Sequence, residues 1–369
     1  MKNHALITGG AGFIGSHVAE RLLREGWRVT LLDNLSRFGV RNNLSYLTHA
    51  YSSKQLSFIS ADIRDYQKVK RAVAKCDVVY HFAGQVAVTT SLLYPREDFE
   101  INALGTLNVL EAARQSKHRP IIIYASTNKV YGSIKSLSVR EKTHRYVYAK
   151  GVYGINELCQ LDFHSPYGCS KGVGDQYVRD YFRMYAIPTI VFRQSCIYGS
   201  RQMGIEDQGW VAHIAARAVL GKPVTFYGDG KQVRDLLHVS DLVDAFQLGI
   251  ARIKKSQGEV YNIGGGLSHS FSLREYVAFL EQKIGRKISL TQGNWRSGDQ
   301  KVYISNTEKL QHDLGWRVKT CHKDGLSELI SWVKDNQKIF EANFRKPVKK
   351  RHHRAFSHKI SPYMYKTIV

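Results

Sequence analysis

Residues 5–15 read A-L-I-T-G-G-A-G-F-I-G. Ala5 to Thr8 is a short apolar strand. Gly9, Gly12 and Gly15 then form a tight turn, and an amphipathic pattern from Phe13 to Glu25 predicts a helix. Strand, glycine turn and helix in that order suit a dinucleotide. The glycines let the backbone approach a pyrophosphate, whose charge sits at the helix N-terminus. A second strand, Arg28 to Leu32, ends in Asp33, 18 residues past Gly15. An acid there suits a ribose 2′-hydroxyl and repels a 2′-phosphate, which predicts NAD rather than NADP.

The alternation continues outward from this unit. Further strands are predicted at Leu56–Ile59, Asp77–Phe82, Ile121–Tyr124, Thr189–Phe192 and Val260–Ile263. Helices are predicted at Tyr66–Ala74, Pro95–Gln115, Tyr167–Ala186 and Leu242–Ile253. Ile121-Ile122-Ile123-Tyr124 is apolar throughout, as a strand covered on both faces should be. The predicted fold is α/β, a doubly wound parallel sheet of Rossmann type with a smaller C-terminal α/β substrate domain. Residues 1–193 form the nucleotide domain, with 236–263 returning to it. Residues 194–235 and 264–344 form the substrate domain, and 345–369 form a basic, disordered tail.

Ligands bind beyond the carboxyl ends of such strands. Three loops converge there: Gly84–Ser91, Ser126–Gly132 and the segment leading to Tyr167. Tyr167 stands four residues before Lys171, so on a helix the two share a face. A phenol beside a fixed ammonium is easier to ionise, and such a pair can take a proton from an alcohol. Spacing alone does not select it, because Tyr66/Lys70, Tyr131/Lys135 and Tyr146/Lys150 share it. Context does. Ser165-Pro166 is a helix start, and Thr127 lies on a converging loop. The other pairs fall on a peripheral helix, before Gly132, and in a charged insertion from 133 to 161. That insertion either folds over the substrate or is a variable excursion.

Lys and Arg number 54 against 31 Asp and Glu, a net charge of +23. Eight of the cations lie between Arg345 and Val369, where there is no acid, and the first 344 residues carry the remaining +15. We read this as a solvated tail on a basic enzyme with anionic substrates, not as a nucleic-acid surface. Five scattered cysteines fit a reducing cytoplasm and no metal site. No apolar run approaches a membrane span.

The motifs T-G-G-A-G-F-I-G-S, Asp33, H-F-A-G, S-T…V-Y-G, Y-x-x-x-K, V-R-D-L-L-H-V and R-S-G-D together resemble the extended short-chain dehydrogenase/reductase family of nucleotide-sugar epimerases and dehydratases. G-Q-V-A-V-T-T-S, S-T-N-K-V-Y-G and L-D-F-H-S-P-Y-G-C-S-K-G resemble its branch acting at carbon 2 of CDP-linked 3,6-dideoxyhexoses. The resemblance implies an isomerase with bound NAD, a CDP-sugar substrate and a homodimer or homotetramer. It implies that Tyr167 is the base, that Lys171 holds the nicotinamide ribose, and that Thr127 bonds the reacting oxygen. Cofactor contacts are implied for Gly9, Gly12, Phe13, Ile14, Gly15, Asp33, Asn34, Asp62, Ile63, Phe82, Ala83, Gly84, Gln85, Asn102 and Ser126. Substrate contacts are implied for Val88, Thr127, Asn128, Gln194, Cys196, Arg201, Arg234 and Arg296. Where the family's 4,6-dehydratases carry two acids after threonine, this chain has Asn128 and Lys129. An amide and an ammonium cannot replace that acid pair, so dehydration is disfavoured. Cys196 replaces the family's usual asparagine. A 4-epimerase or reductase acting on another nucleotide sugar shares every core residue.

Overall fold

The computed structural model describes residues 3–345, apart from 135, 136, 150 and 297. The basic tail predicted beyond Arg345 lies outside the described residues.

Seven strands form one parallel sheet: β1 (His4–Thr8), β2 (Arg28–Asp33), β3 (Leu56–Ser60), β4 (Val78–His81), β5 (Ile121–Thr127), β6 (Thr189–Gln194) and β7 (Val260–Ile263). Their order is β7-β6-β5-β4-β1-β2-β3. The strand order reverses between β1 and β4, which opens a crevice at their carboxyl ends. Every residue of β4, β6 and β7 is buried, as the apolar runs require of a sheet with helices on both faces. The helix α1 (Phe13–Arg24) packs Val18, Ala19, Leu22 and Leu23 onto one face. Val69, Val73, Val109 and Ala113 cover the other.

The predicted helix from 95 to 115 is present but not uniform. Pro95–Phe99 and Gly105–Arg114 are α-helical, and Glu100–Leu104 between them is a π-turn. Such wide turns occur mostly at functional sites; this one carries Asn102.

A second layer caps the carboxyl end of the sheet. Its central strand, Val233–His238, pairs with Cys196–Tyr198, Ser270–Ser272 and Val302–Tyr303. A separate parallel pair joins Val224–Tyr227 to Leu290–Gly293. The helices Trp210–Val219, Leu273–Ile284 and His322–Asp335 bury Ala212, Ala215, Tyr276, Leu280, Leu326 and Leu329 between them.

The insertion from 133 to 161 contains a short hairpin, Val139–Glu141 with Tyr146–Tyr148. It docks on the second layer. The Tyr146 hydroxyl donates to Asp229 at 2.6 Å, and Tyr148 donates to the Val302 carbonyl at 3.0 Å.

Candidate active site

The turn after β1 is closed tightly. Gly9 has φ +68°, and a Cβ there would lie 2.7 Å from the Ala83 nitrogen on the β4 loop. A Cβ on Gly15 would lie 2.3 Å from the Gly9 carbonyl oxygen. The N-cap of α1, Gly12, has no side-chain cap, so the first amides of the helix are left for an anion. The Asp33 carboxylate accepts the Ala11 and Leu35 amides at 3.1 and 2.8 Å. Burial pushes its pKa up while those amides oppose the shift. A carboxylate has about four acceptor sites, so capacity remains for a ligand hydroxyl. At the end of β3, Asp62 is bound by Arg64 and by the Asn34 amide at 3.0 Å; chiefly Arg64 pulls its pKa down to about 2. Ile63 is buried beside it. The glycine cradle, the uncapped helix and the acid at the end of β2 fit a dinucleotide.

The β4 loop is locked from below. The Ala83 amide donates to the Thr8 hydroxyl at 3.2 Å. The Gln85 amide donates to Asn102 at 2.9 Å, and Asn102 donates back to the Gln85 carbonyl at 3.0 Å. A Cβ on Gly84 would lie 2.9 Å from the same Asn102 side chain.

The helix α2 (Ser165–Tyr185) begins at Ser165-Pro166. Its Tyr167 amide donates to the Ser91 hydroxyl at 3.1 Å, tying the helix start to the β4 loop. Tyr167 and Thr127 face the same space, and the threonine hydroxyl pulls the phenol's pKa down. Lys171 holds its ammonium 4.2 Å from the centre of the Tyr124 ring. The electrostatics of the pair correct the sequence reading. Burial dominates both groups: it pushes the Tyr167 phenol up to about 12 and the Lys171 ammonium down to about 7. Asp175 and Asp98 partly restore the lysine's charge. Neither acid is read from the motif.

Those acids belong to a buried polar scaffold that sequence reasoning missed. Asp98 accepts Ser170 at 2.5 Å, Gln85 at 2.7 Å and Asn102 at 3.2 Å. Ser126 donates to Asp175 at 2.7 Å, which also holds Arg193 through two bonds of 2.9 Å. Arg193 donates to Tyr131, and Tyr131 donates to Asn262. The available signal was an arginine inside the apolar run T-I-V-F-R-Q, since a buried cation must be paired.

A cavity of about 350 Å³ lies between the sheet and the second layer. It brings together Val88, Thr127, Asn128 and Tyr167 on one side and Arg234 and Arg296 on the other. Arg234 donates to Asp299 at 2.5 Å, and Arg296 lies over the Tyr227 ring at 3.9 Å. Three lining residues, Thr89, His213 and Gln232, each bury a polar atom that no protein group satisfies. Gln194 and Cys196 are not in this lining. The Gln194 amide nitrogen is buried without a protein partner, and the Cys196 sulfur accepts Trp210 Nε1–H at 3.2 Å. Arg201 is placed elsewhere, which corrects its expected role. It pairs with Glu20 at 2.7 Å and covers the Tyr46 ring at 4.8 Å, in a separate cavity near His17. None of the described insertion residues lines the active cavity.

The sequence profile of the GDP-mannose 4,6-dehydratase family matches residues 6–329. CDP-paratose 2-epimerase of Salmonella typhi is 42% identical over 335 residues, covering 89% of this chain and 98% of that protein. The solved UDP-glucose 4-epimerase of Thermus thermophilus, in complex with NAD, is 31% identical with a TM-score of 0.75, covering 90% of this chain and 99% of that one. The dTDP-glucose 4,6-dehydratase DesIV of Streptomyces venezuelae, with NAD bound, is 28% identical with a TM-score of 0.79, covering 92% and 99%. With this match along nearly its whole described length, the chain belongs to the extended short-chain dehydrogenase/reductase family of nucleotide-sugar epimerases and dehydratases.

Proposed function

We propose that the protein is an NAD-dependent epimerase that inverts carbon 2 of a CDP-linked 3,6-dideoxyhexose, converting CDP-paratose to CDP-tyvelose. The observation that carries this reading is the cavity that joins Tyr167 and Thr127 to the cations Arg234 and Arg296. The first pair suits an alcohol and the second suits a diphosphate. The 42% identity to a CDP-paratose 2-epimerase supports the choice of sugar and base.

Carbon 2 of such a sugar has no neighbouring carbonyl, so its hydrogen is not acidic. Inversion therefore needs a flat, transiently oxidised carbon that can be approached from either face. Bound NAD supplies the hydride chemistry. Tyr167 takes the hydroxyl proton and later returns it. Thr127 hydrogen-bonds the reacting oxygen and keeps the phenol aligned. Lys171 would hold the nicotinamide ribose, Asp33 would hold the adenosine ribose, and the Gly9–Gly15 turn would receive the pyrophosphate. Arg234 and Arg296 bind the substrate's diphosphate. The missing acid pair at Asn128 and Lys129 disfavours dehydration. Exposed Leu93, Phe99, Leu104 and Met184, on the helical segment 88–114 and on α2, support a homodimer through those elements.

Incubation with CDP-paratose in heavy water, followed by NMR of the sugar, tests the reading. Inversion at carbon 2 without solvent deuterium is expected. Deuterium at that carbon would overturn internal hydride return. A 4-epimerase is the second reading, favoured by the likeness to the Thermus thermophilus enzyme. Turnover of UDP-glucose but not of CDP-paratose would establish it.

A further inference from the structure

Lys129 is a partly buried cation, its side chain 21% exposed, that the reading above does not use. It lines the cavity two residues after Thr127. Its ammonium meets one carboxylate, Asp299, at 3.7 Å, outside hydrogen-bond range. The same Asp299 oxygen is already taken by Arg234 at 2.5 Å. Arg296 lies in the same wall and also acts on Asp299. Arg296 also has Asp207 at 3.5 Å, so it is Lys129 and Arg234 that share the one carboxylate of Asp299 at this end of the cavity. Burial works most against the lysine's charge; Asp299 supports that charge, and the neighbouring Arg234 opposes it. Nearby Cys196 adds no negative charge, because burial raises the thiol's pKa and its sulfur already accepts the Trp210 indole. Two cations on one carboxylate in a partly desolvated wall leave the lysine, which has no hydrogen bond to that acid, available for an anionic ligand.

The position of Lys129 along the chain says which part of that ligand it meets. Thr127 and Tyr167 mark the reacting carbon. Lys129 follows Thr127 by two residues and lines the same cavity, with its ammonium toward Asp299 on the opposite wall, which suits a group between that carbon and the Arg234 wall. In a sugar nucleotide, carbon 2 is bonded to the anomeric carbon that bears the diphosphate, whereas carbon 4 lies across the ring.

We propose that Lys129 binds the sugar-linked phosphate of the substrate, leaving Asp299 to Arg234, and so sets carbon 2 rather than carbon 4 against Tyr167. This rests on the carbon-2 reading above and assigns it a residue that determines its register.

The test uses full-length wild type, Lys129→Met and Lys129→Arg, titrated calorimetrically with CDP and CMP, and in parallel with the UDP/UMP and dTDP/dTMP pairs. Melting curves establish that each variant is folded. Lys129→Met should weaken the diphosphate roughly 10- to 100-fold, the loss typical of a bond to a charged group. It should leave the monophosphate within about threefold, and Lys129→Arg should recover most of the loss. Equal weakening of diphosphate and monophosphate, or no weakening of either, overturns the assignment. If wild type binds a uridine or thymidine diphosphate better than CDP, the choice of base falls while the Lys129 comparison still stands. If wild type binds no nucleoside diphosphate, the reading of the cavity falls and this assignment with it. On CDP-paratose, Lys129→Met should raise KM more than it lowers kcat. A large loss of kcat with unchanged KM would place the lysine in the chemical step and also overturn the proposal.

Discussion

At the scale of single residues, burial governs the candidate catalytic pair. Tyr167 and Lys171 are partners by spacing, yet each is shifted toward its neutral form by desolvation. The phenol is the proton-transfer group of the proposed mechanism, so Tyr167→Phe should lower kcat by about 10²- to 10⁴-fold. CDP affinity should stay within a few-fold, read by steady-state kinetics and calorimetry; a variant with near wild-type kcat removes Tyr167 from the chemistry. Lys171 gives a prediction with a definite sign. Its pKa is about 7 when folded against an ordinary value of 10.5. Between those values the unfolded chain holds a proton that the folded chain lacks, so the lysine's contribution to stability rises with pH. It is complete above the unfolded value and fully lost below about pH 7. In urea denaturation of the ligand-free protein, wild type should therefore gain stability relative to Lys171→Met from about pH 7 to about pH 9. A constant difference across that range would contradict the depressed pKa.

At the scale of elements, the site depends on buried polar ties between segments far apart in sequence. Asp175 on α2 joins Ser126 of β5 to Arg193 of β6. Removing one partner of a buried pair leaves a charge with no counter-ion, at a cost of about 3–5 kcal/mol. Asp175→Ala should lower the urea midpoint accordingly, and a loss below about 1 kcal/mol would show that Arg193 finds water or another acceptor. The π-turn at Glu100–Leu104 places Asn102 against Gln85 and Ser170. The periodicity gave the helix from 95 onward but not the wide turn, because a π-turn depends on the bonds its side chains find across the fold. The Gly9–Gly15 turn was legible for the opposite reason: its geometry is local, and any Cβ at Gly15 meets the chain's own Gly9.

At the scale of the whole molecule, the cavity exists only where the sheet meets the second layer. A ligand that bridges both walls should stabilise the two together. At about 100 times its Kd, linkage predicts a gain of roughly 2.7 kcal/mol, seen as a higher melting temperature with CDP. Arg234→Met should abolish most of that shift, and an undiminished shift would exclude Arg234 from the diphosphate site. Among the described residues no helix is long and apolar enough to cross a membrane.

The amino-acid sequence by itself determined the parallel sheet, the glycine turn, Asp33 at the end of β2 and the Tyr167 helix start. These rest on hydrophobic period and backbone geometry, which act over a few residues. Only the tertiary structure decided which cations line the cavity. Arg234, Arg296 and Lys129 come from three separate segments and meet around Asp299. Arg201, expected among them, turns instead to Glu20 and Tyr46. The structure also decided that the insertion docks beside the second layer. A charge takes the nearest counter-ion that folding brings to it, and sequence spacing does not fix which one that is.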